Sequence, residues 1–252
     1  MSEFIVVTQN EMVTTLTITR QDKKNAITKG MYSAMADAIL AYGEDKTSRA
    51  FVITGAGDMF TSGNDISDFT TDLVGSEKPP VVRFLDALRD CPKPIIAAVN
   101  AHAIGIGLTM LLHCDLVYAH ESATFGAPFV KLGVVPEAAS SMLLPEAVGM
   151  AVANDILLAG RTLNAQEALD FGLISRVFSD TDFKPSIEAL AHSIAGSAPE
   201  SMRKSKDLIR NYRGNMTDHM NAEFSDFADQ LKSPEFAESI AAKMQKRKPV
   251  YK

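Results

Sequence analysis

The chain has 252 residues, which is enough for one large domain or for one core with a small appendage. Its hydrophobic fraction of 46% and charged fraction of 22% are typical of a soluble globular protein and exclude a disordered chain. Two cysteines exclude a disulfide framework, and a net charge of -6 argues against a nucleic-acid or membrane-surface partner. Because the sequence has neither a long apolar run nor a secretory leader pattern, we expect a cytoplasmic protein.

The first part of the sequence alternates between strand and helix patterns. Residues 5–7 and 13–18 are rich in residues that favour strands and predict a hairpin. Apolar residues then recur at helical spacing after Thr28, which is suited to cap a helix that ends near Gly43. Residues 50–54 predict a buried strand that leads into a loop containing three glycines.

The same alternation continues through the middle of the chain. A polar segment, residues 67–80, precedes a predicted helix that starts at residue 81 and must end before Pro92. Further strands are predicted over residues 94–99 and 116–119, with a glycine turn and a short helix between them. This order of elements predicts an α/β core.

Helix patterns dominate after Pro145, apart from a last predicted strand over residues 173–178. Three helix-start signatures lie in this part: Asn164 with Glu167, Ser197 with Glu200, and Ser233 with Pro234 and Glu235. We therefore predict a core over residues 1–195 and a helical region over residues 196–252. The apolar residues of the helical region need a surface to pack on, either the core or another subunit.

Two glycine turns, residues 62–66 and 103–107, each follow a predicted strand and precede a predicted helix. Amide groups at such a position point outward at positive potential, and two of them aimed at one point would form an oxyanion hole. The alternative is that both are ordinary tight turns. The second turn lacks the third glycine and the acidic partner of a dinucleotide site, so a Rossmann fold is disfavoured.

These turns belong to an ordered series of motifs that resembles the crotonase superfamily, also called the enoyl-CoA hydratase/isomerase family. The resemblance is clear over residues 4 to 180 and rests on the shared order and spacing of the motifs. They are Thr17–Arg20, Asn25–Ile27, Val52–Phe60, Ser62–Ile66, Val99–Gly105, Cys114–Ala119, Phe125–Gly126, Leu132–Pro136 and Ala165–Leu173.

The resemblance implies a spiral of ββα units with a C-terminal helical region, assembled into homotrimers that pair into hexamers. It implies an acyl-CoA thioester as substrate, with no cofactor besides the coenzyme A of the substrate itself. The thioester carbonyl would lie between the backbone N–H groups of Asn64 and Ile106. The other matching substrate-binding positions are Lys24, Ala26, Ile27, Ser62, Gly63, Asp65, Ile66 and Gly105.

The acid and base residues distinguish among the reactions of this family. Its hydratases use two glutamates, and the matching positions here are Thr109 and Phe129. A threonine hydroxyl is a poor base and phenylalanine carries no proton to exchange, so ordinary hydration is disfavoured.

A different carboxylate, Glu137, matches the single catalytic glutamate of Δ3,Δ2-enoyl-CoA isomerases. One base and an oxyanion hole are sufficient to move a double bond from position 3 to position 2. Apolar neighbours such as Val134 and Leu143 would raise the pKa of this base. The alternative is that Glu137 is only the acidic start of a helix over residues 138–148.

Other functions stay open at this point. An atypical hydratase, a hydrolase or a lyase for another acyl group would fit the same scaffold, as would a CoA-binding protein without catalysis. Ser140 and Ser141 suggest a hydrolase, but the sequence indicates no histidine and aspartate partners. The histidines lack the spacing of a zinc site, so we expect no metal.

Overall fold

A computed structural model of the protein describes residues 2–68, 79–210 and 215–251. Six strands form the main sheet, which is parallel except for the antiparallel pair of the first two strands. In spatial order these are β1 (Ile5–Asn10), β2 (Val13–Ile18), β3 (Ala50–Gly55), β5 (Ile95–Val99), β7 (Leu116–His120) and β10 (Arg176–Phe178). The predicted hairpin is confirmed.

A second sheet of four short strands lies beside the first. Its strands, in spatial order, are β4 (Met59–Thr61), β6 (His102–Ile104), β8 (Thr124–Gly126) and β9 (Thr162–Asn164). None of these four was predicted as a strand, because three residues are too few for the alternation of apolar and polar side chains to emerge.

The helices in the described part of the chain are, in order, α1 (Lys29–Glu44), α2 (Pro80–Asp90), α3 (Ile106–Thr109), α4 (Ser140–Leu157), α5 (Ala165–Asp170), α6 (Asp180–Ala195), α7 (Pro199–Arg210), α8 (Met216–Gln230) and α9 (Pro234–Met244). Thr28 caps α1 through its side chain, as predicted, although α1 runs one residue past Gly43. Asn164 with Glu167 forms a complete capping box at α5, and Ser233 caps α9.

One unit of structure repeats three times along the chain. A strand of the main sheet is followed by a strand of the second sheet and then by a helix, in the sets β3–β4–α2, β5–β6–α3 and β7–β8–α4. The fold is therefore the crotonase-like spiral of ββα units that the motifs predicted.

The central strands of the main sheet are buried on both faces. All five residues of β5 are buried, which explains its continuous apolar sequence in place of an alternating one. One face packs in the large core with α1 and α2, and the other is covered by Ile187, Ala191 and Ala195 of α6. This two-sided burial holds the ends of the strands in fixed positions.

An ion cluster attaches α7 to the sheet. Asp115 accepts the backbone N–H of Ile95 at 2.8 Å and pairs with Lys206 at 2.7 Å and with Arg210 at 2.8 Å. Both cations come from α7, so the first helix after residue 195 contacts the core directly. The assignment of residues 196–252 to a separate region for packing and trimerisation stays a prediction.

The predicted helix over residues 138–148 differs from the structure. Ala138 and Ala139 have φ values of 60° and 55°, so α4 begins only at Ser140, and it continues past a break at Gly149 to Leu157. Most of the predicted polar segment 67–80 lies outside the described residues. Within the described ranges, no helix combines the length and the hydrophobicity that crossing a membrane requires.

Candidate active site

Backbone hydrogen bonds hold two distant segments of predicted substrate-binding residues together. The N–H of Ser62 donates to the carbonyl of Lys24 at 3.0 Å, and the N–H of Ile27 donates to the carbonyl of Gly63 at 2.9 Å. The N–H of Asp65 returns to the carbonyl of Ile27 at 2.9 Å. Asn64 therefore sits in a parallel bridge with its own N–H and carbonyl directed away from Ile27.

The two glycine turns touch each other. Gly63 has a φ of +97° and Gly105 a φ of +61°, both in the region that favours glycine. A Cβ on either glycine would lie 3.9 Å from the Cα of the other, and one on Gly63 would meet the Ile104 carbonyl oxygen at 3.0 Å. Side chains at these positions would strain or separate the turns, so the glycines keep the amides that follow them close together.

Those amides belong to Asn64 and Ile106, the two predicted donors. Ile106 is the first residue of α3 and has a negative φ, so a residue other than glycine is compatible with its conformation. Neither amide donates a hydrogen bond to another backbone group in the described part of the chain. As far as the described residues go, both amides are available to a ligand.

The helical segment that starts with Ile106 also holds the predicted base. Thr109 of α3 donates its hydroxyl hydrogen to Oε1 of Glu137 at 2.5 Å. One turn later, Nε2 of the buried His113 lies 2.7 Å from the carbonyl oxygen of Ala138. Because a carbonyl can only accept, Nε2 carries the hydrogen.

Glu137 lies in a turn of unusual backbone conformation. It is 6% exposed, and the two residues that follow it are left-handed, which costs about 1–3 kcal/mol for each non-glycine residue. Its side chain bonds to Thr109, and α4 starts three residues later. The alternative that Glu137 only starts a helix is thus not supported by its position.

Burial raises the pKa of Glu137 to about 7. The hydrogen bond from Thr109 acts in the opposite direction, and the negative charge of Glu223 raises the pKa further. A carboxyl group that titrates near neutral pH can both remove and return a proton under ordinary conditions.

A narrow cavity of about 80 Å³ opens beside Glu137 and Asn64. One wall comes from α2 and the residues just before it, and the other from α8. The apolar residues that line it are Ile27, Pro79, Pro80, Val81, Val82, Leu85, Met220, Phe224 and Phe227. The site therefore pairs a few polar groups with a largely apolar wall, as small-molecule sites do.

Tyr32 of α1 is a site residue that the sequence did not reveal. Its hydroxyl donates to the side-chain oxygen of Asn64, and its ring packs on Phe84 at 5.5 Å between centroids. Burial and the nearby Glu137 carboxylate raise the pKa of Tyr32, so the hydroxyl stays protonated. The only available signal was its place one residue after a core position, Met31.

Asp65 stabilises the loop that carries Asn64. It pairs with Arg20 at 2.5 Å and accepts the N–H and the hydroxyl of Ser67. Although partial burial opposes it, the hydrogen bonds from Ser67 and Arg20 lower the pKa of Asp65. Ile66 begins the single helical turn that follows, and Ala26 accepts a second bond from Arg20. All the predicted binding residues thus lie in, or hydrogen-bond to, the two connected segments and the Gly105 turn.

Ser141 has partners that the sequence does not reveal, because they lie 78 and 82 positions away. Its hydroxyl is 2.8 Å from Nε2 of His219 and 2.5 Å from Oε1 of Glu223. The carboxylate and the hydroxyl face the same histidine nitrogen, at 3.2 Å and 2.8 Å. A nucleophilic triad needs the acid on the other nitrogen, so this is not one.

Metal chemistry has no candidate centre in the described ranges, where no cluster of three or more histidine, cysteine, aspartate or glutamate side chains could hold an ion. Phe129, at the second hydratase position, is 5% exposed and packs in the core. Among the described carboxylates that line the cavity, Glu137 is the one that is buried.

Comparison with known proteins agrees with this architecture. The family model described as enoyl-CoA hydratase/isomerase matches residues 8–252. The crystal structure of an enoyl-CoA hydratase/isomerase from Pseudoalteromonas atlantica T6c superimposes with a TM-score of 0.96 at 48% identity, covering 99% of this chain and all of that one. The fold and its motifs define a crotonase.

The chain belongs to the enoyl-CoA hydratase/isomerase family. It is 42% identical to rat enoyl-CoA delta isomerase 2 over 217 residues, which is 83% of this chain and 55% of the rat protein. The chain thus spans little more than half the length of that relative. It is 31% identical to 1,2-epoxyphenylacetyl-CoA isomerase of Escherichia coli K12, covering all of this chain and 99% of that protein.

Replacing Thr109 tests the hydrogen bond to Glu137. We expect Thr109→Val to raise the pKa of Glu137 above about 7, because the lost bond stabilises the ionised carboxylate. The measurement is a ¹³C NMR titration of the Glu137 carboxyl carbon, assigned by its absence in Glu137→Gln. Thr109→Ser keeps the hydroxyl and serves as the control. An unchanged pKa of Glu137 in Thr109→Val would show that the hydrogen bond does not stabilise the ionised carboxylate.

Replacing Glu137 by Gln tests the cost of burying the ionised group. The folded-state pKa of about 7 exceeds the usual value, so the protein loses stability as the pH rises from about 4.5 to about 7. Above pH 7 this loss is about 3 kcal/mol, and Glu137→Gln avoids it.

We therefore expect the variant to have the higher free energy of unfolding at pH 8 and an advantage that shrinks towards pH 4. Urea unfolding at equal protein concentration across this range measures the difference. An advantage independent of pH would mean that Glu137 titrates normally.

Proposed function

We propose that the protein moves the double bond of a 3-enoyl-CoA to position 2. The observation that carries this proposal is the buried carboxylate of Glu137, which shares a cavity with Asn64 and has a pKa raised to about 7. The two free amides of Asn64 and Ile106 complete the set of groups that the reaction needs. The similarity to enoyl-CoA delta isomerases supports the assignment.

The reaction begins with the thioester carbonyl accepting hydrogen bonds from the amides of Asn64 and Ile106. The Glu137 carboxylate takes a proton from carbon 2, and the electron pair of that C–H bond moves into the carbonyl to give a dienolate. The two amides stabilise the negative oxygen, where each donor contributes ~2.7–4 kcal/mol to lowering a barrier. Glu137 then returns its proton to carbon 4, and the double bond forms between carbons 2 and 3.

One group can serve both proton transfers because its pKa lies near neutral pH. A carboxylate with an ordinary pKa would be a weaker base towards a carbon acid, and a much higher pKa would leave little of the ionised form. Thr109 holds the carboxyl group in place during both steps. Tyr32 fixes the side chain of Asn64 and with it the loop that supplies one amide.

The substrate-binding assignments follow the same geometry. Lys24, Ala26 and Ile27, together with Ser62 to Ile66, form the connected segments beside Asn64, and we assign them to the coenzyme A portion. The apolar wall between α2 and α8 would take the acyl chain. No cofactor is required beyond the coenzyme A of the substrate, since proton transfer within one molecule balances.

Other reactions of the family remain the second candidate. The similarity to an isomerase of 1,2-epoxyphenylacetyl-CoA favours, as an alternative, another acyl-CoA whose carbonyl also needs an oxyanion hole. An atypical hydratase, a hydrolase and a lyase share that need. A CoA-binding protein without catalysis would have no use for a destabilising buried glutamate.

The deciding experiment follows two substrates in parallel. With a 3-enoyl-CoA we expect the absorbance of the conjugated thioester to rise, and with a 2-enoyl-CoA we expect no hydration. The value of kcat/KM should increase with pH through about 7, because the free enzyme needs ionised Glu137. Glu137→Gln should lose at least about 1,000-fold in kcat.

Hydration of the 2-enoyl-CoA would overturn the interpretation of Thr109 and Phe129. Binding of both thioesters without conversion of either would favour another acyl group. Glu146→Gln, a carboxylate outside the cavity that Glu137 lines, is the matched control and should retain wild-type activity.

We further propose that the chain assembles into trimers or hexamers. Leu208 and Ile209 of α7 are 75% and 69% exposed in the single chain, which is unusual for adjacent large apolar residues. Light scattering should give a mass three or six times that of one chain. A monomeric mass would contradict this proposal. The cytoplasmic location stays a prediction.

A further inference from the structure

Helix α8 contacts the site in two separate ways. Met220, Phe224 and Phe227 form one wall of the cavity beside Glu137. On the same helix, Glu223 is only 8% exposed and directs its carboxylate at the first turn of α4. Glu223 does not line the cavity, so the part that α8 plays as a cavity wall does not explain this second contact.

Glu223 supplies a cap that α4 lacks within its own sequence. The residue in the N-cap position is Ala139, which has no side-chain oxygen. Oε1 of Glu223 accepts the backbone N–H of Ser141 at 2.9 Å and its hydroxyl at 2.5 Å. A carboxylate at a helix N-terminus is stabilised by the exposed N–H groups and by the helix dipole.

The capped turn is directly continuous with the base. The N–H of Ser140 donates to the carbonyl of Glu137 at 3.1 Å, and the two residues between them are left-handed. Such a conformation persists only where the surroundings hold it. His113 holds the turn at the Ala138 carbonyl, and Glu223 holds it at the start of α4.

We propose that Glu223 is a positioning residue for Glu137, which it holds in place by capping α4 and influences through its negative charge. The inference rests on the proposed role of Glu137 as the base. It means that the helix that forms one wall of the cavity also supports the turn that carries the base.

Two further groups share this environment. His219, one turn before Glu223 on α8, contacts the same carboxylate oxygen at 3.2 Å, and Tyr32 of α1 faces Glu137. The charged residues on the cavity wall are Lys29, Asp65, Asp68 and Asp86. A substitution that removes the charge of Glu223 must therefore be compared with a substitution that removes one negative charge elsewhere on α8.

The first test separates the charge of Glu223 from its contacts. Glu223→Gln keeps an oxygen for the N–H of Ser141 and removes the charge, whereas Asp226→Asn removes one exposed charge from the same helix. A ¹³C NMR titration of the Glu137 carboxyl carbon should give a lower pKa in Glu223→Gln than in the wild type. Asp226→Asn should leave the pKa unchanged.

Both titrations are repeated with His219→Gln in the background, because the His219 ring contacts the same carboxylate oxygen of Glu223. The pKa of Glu137 should again be lower in the protein that carries Glu223→Gln. If the pKa of Glu137 were the same in Glu223→Gln and Asp226→Asn, the electrostatic part of the proposal would be overturned. This measurement does not use substrate, so it stands even if the protein catalyses a different reaction.

The second test addresses position. Glu223→Ala removes the acceptor of the Ser141 N–H, and we expect its kcat to fall at least tenfold while Glu223→Gln retains most of the activity. A crystal structure of Glu223→Ala should show the bond between Thr109 and Glu137 lengthened or broken. An intact bond with wild-type kcat would overturn the positioning role, whereas inactivity of the wild type itself would overturn only the proposed reaction.

Discussion

The short helical segment from Ile106 to His113 determines the geometry of the whole site. Its first amide is one proposed oxyanion donor, Thr109 bonds the carboxyl group of Glu137, and His113 holds the carbonyl of Ala138. Donor and base are therefore both held by one short unit, which is α-helical from Ile106 to Thr109 and a 3-10 helix from Met110 to His113. The Gly63–Gly105 contact then adds the second donor, Asn64, to that unit.

Two features of this arrangement are unfavourable in free energy. Glu137 is a buried carboxyl group, and the two residues after it are left-handed without being glycine. Each would relax if the surrounding contacts were weaker. The protein compensates with large buried surfaces in the two-sided main sheet and in the apolar contacts of α1 and α2. Burial is thus concentrated in the core, against which the strained turn packs through Ala138 and Ala139.

The long elements and the family could be predicted from the sequence, because strands of five or six residues and capped helices leave clear local patterns. The sequence also singles out Asn64, Ile106 and Glu137 as candidates for the site, because they lie in recognisable motifs. The strands of the second sheet could not be predicted, because they are short. The bond from Thr109 to Glu137 spans 28 positions and that from Tyr32 to Asn64 spans 32, so only the fold brings these residues together.

Thr109 illustrates how one scaffold can support several reactions. Its position matches a glutamate of the family's hydratases, where a second carboxylate would activate water. Here the shorter hydroxyl donates to the one remaining carboxylate instead, and so lowers a pKa that burial raises. A second acid at this position would face Glu137 in an enclosed site, where two negative charges strongly disfavour each other. With threonine at this position, the described part of the site holds one proposed base, and one base suits moving a proton within a single substrate better than adding water to it.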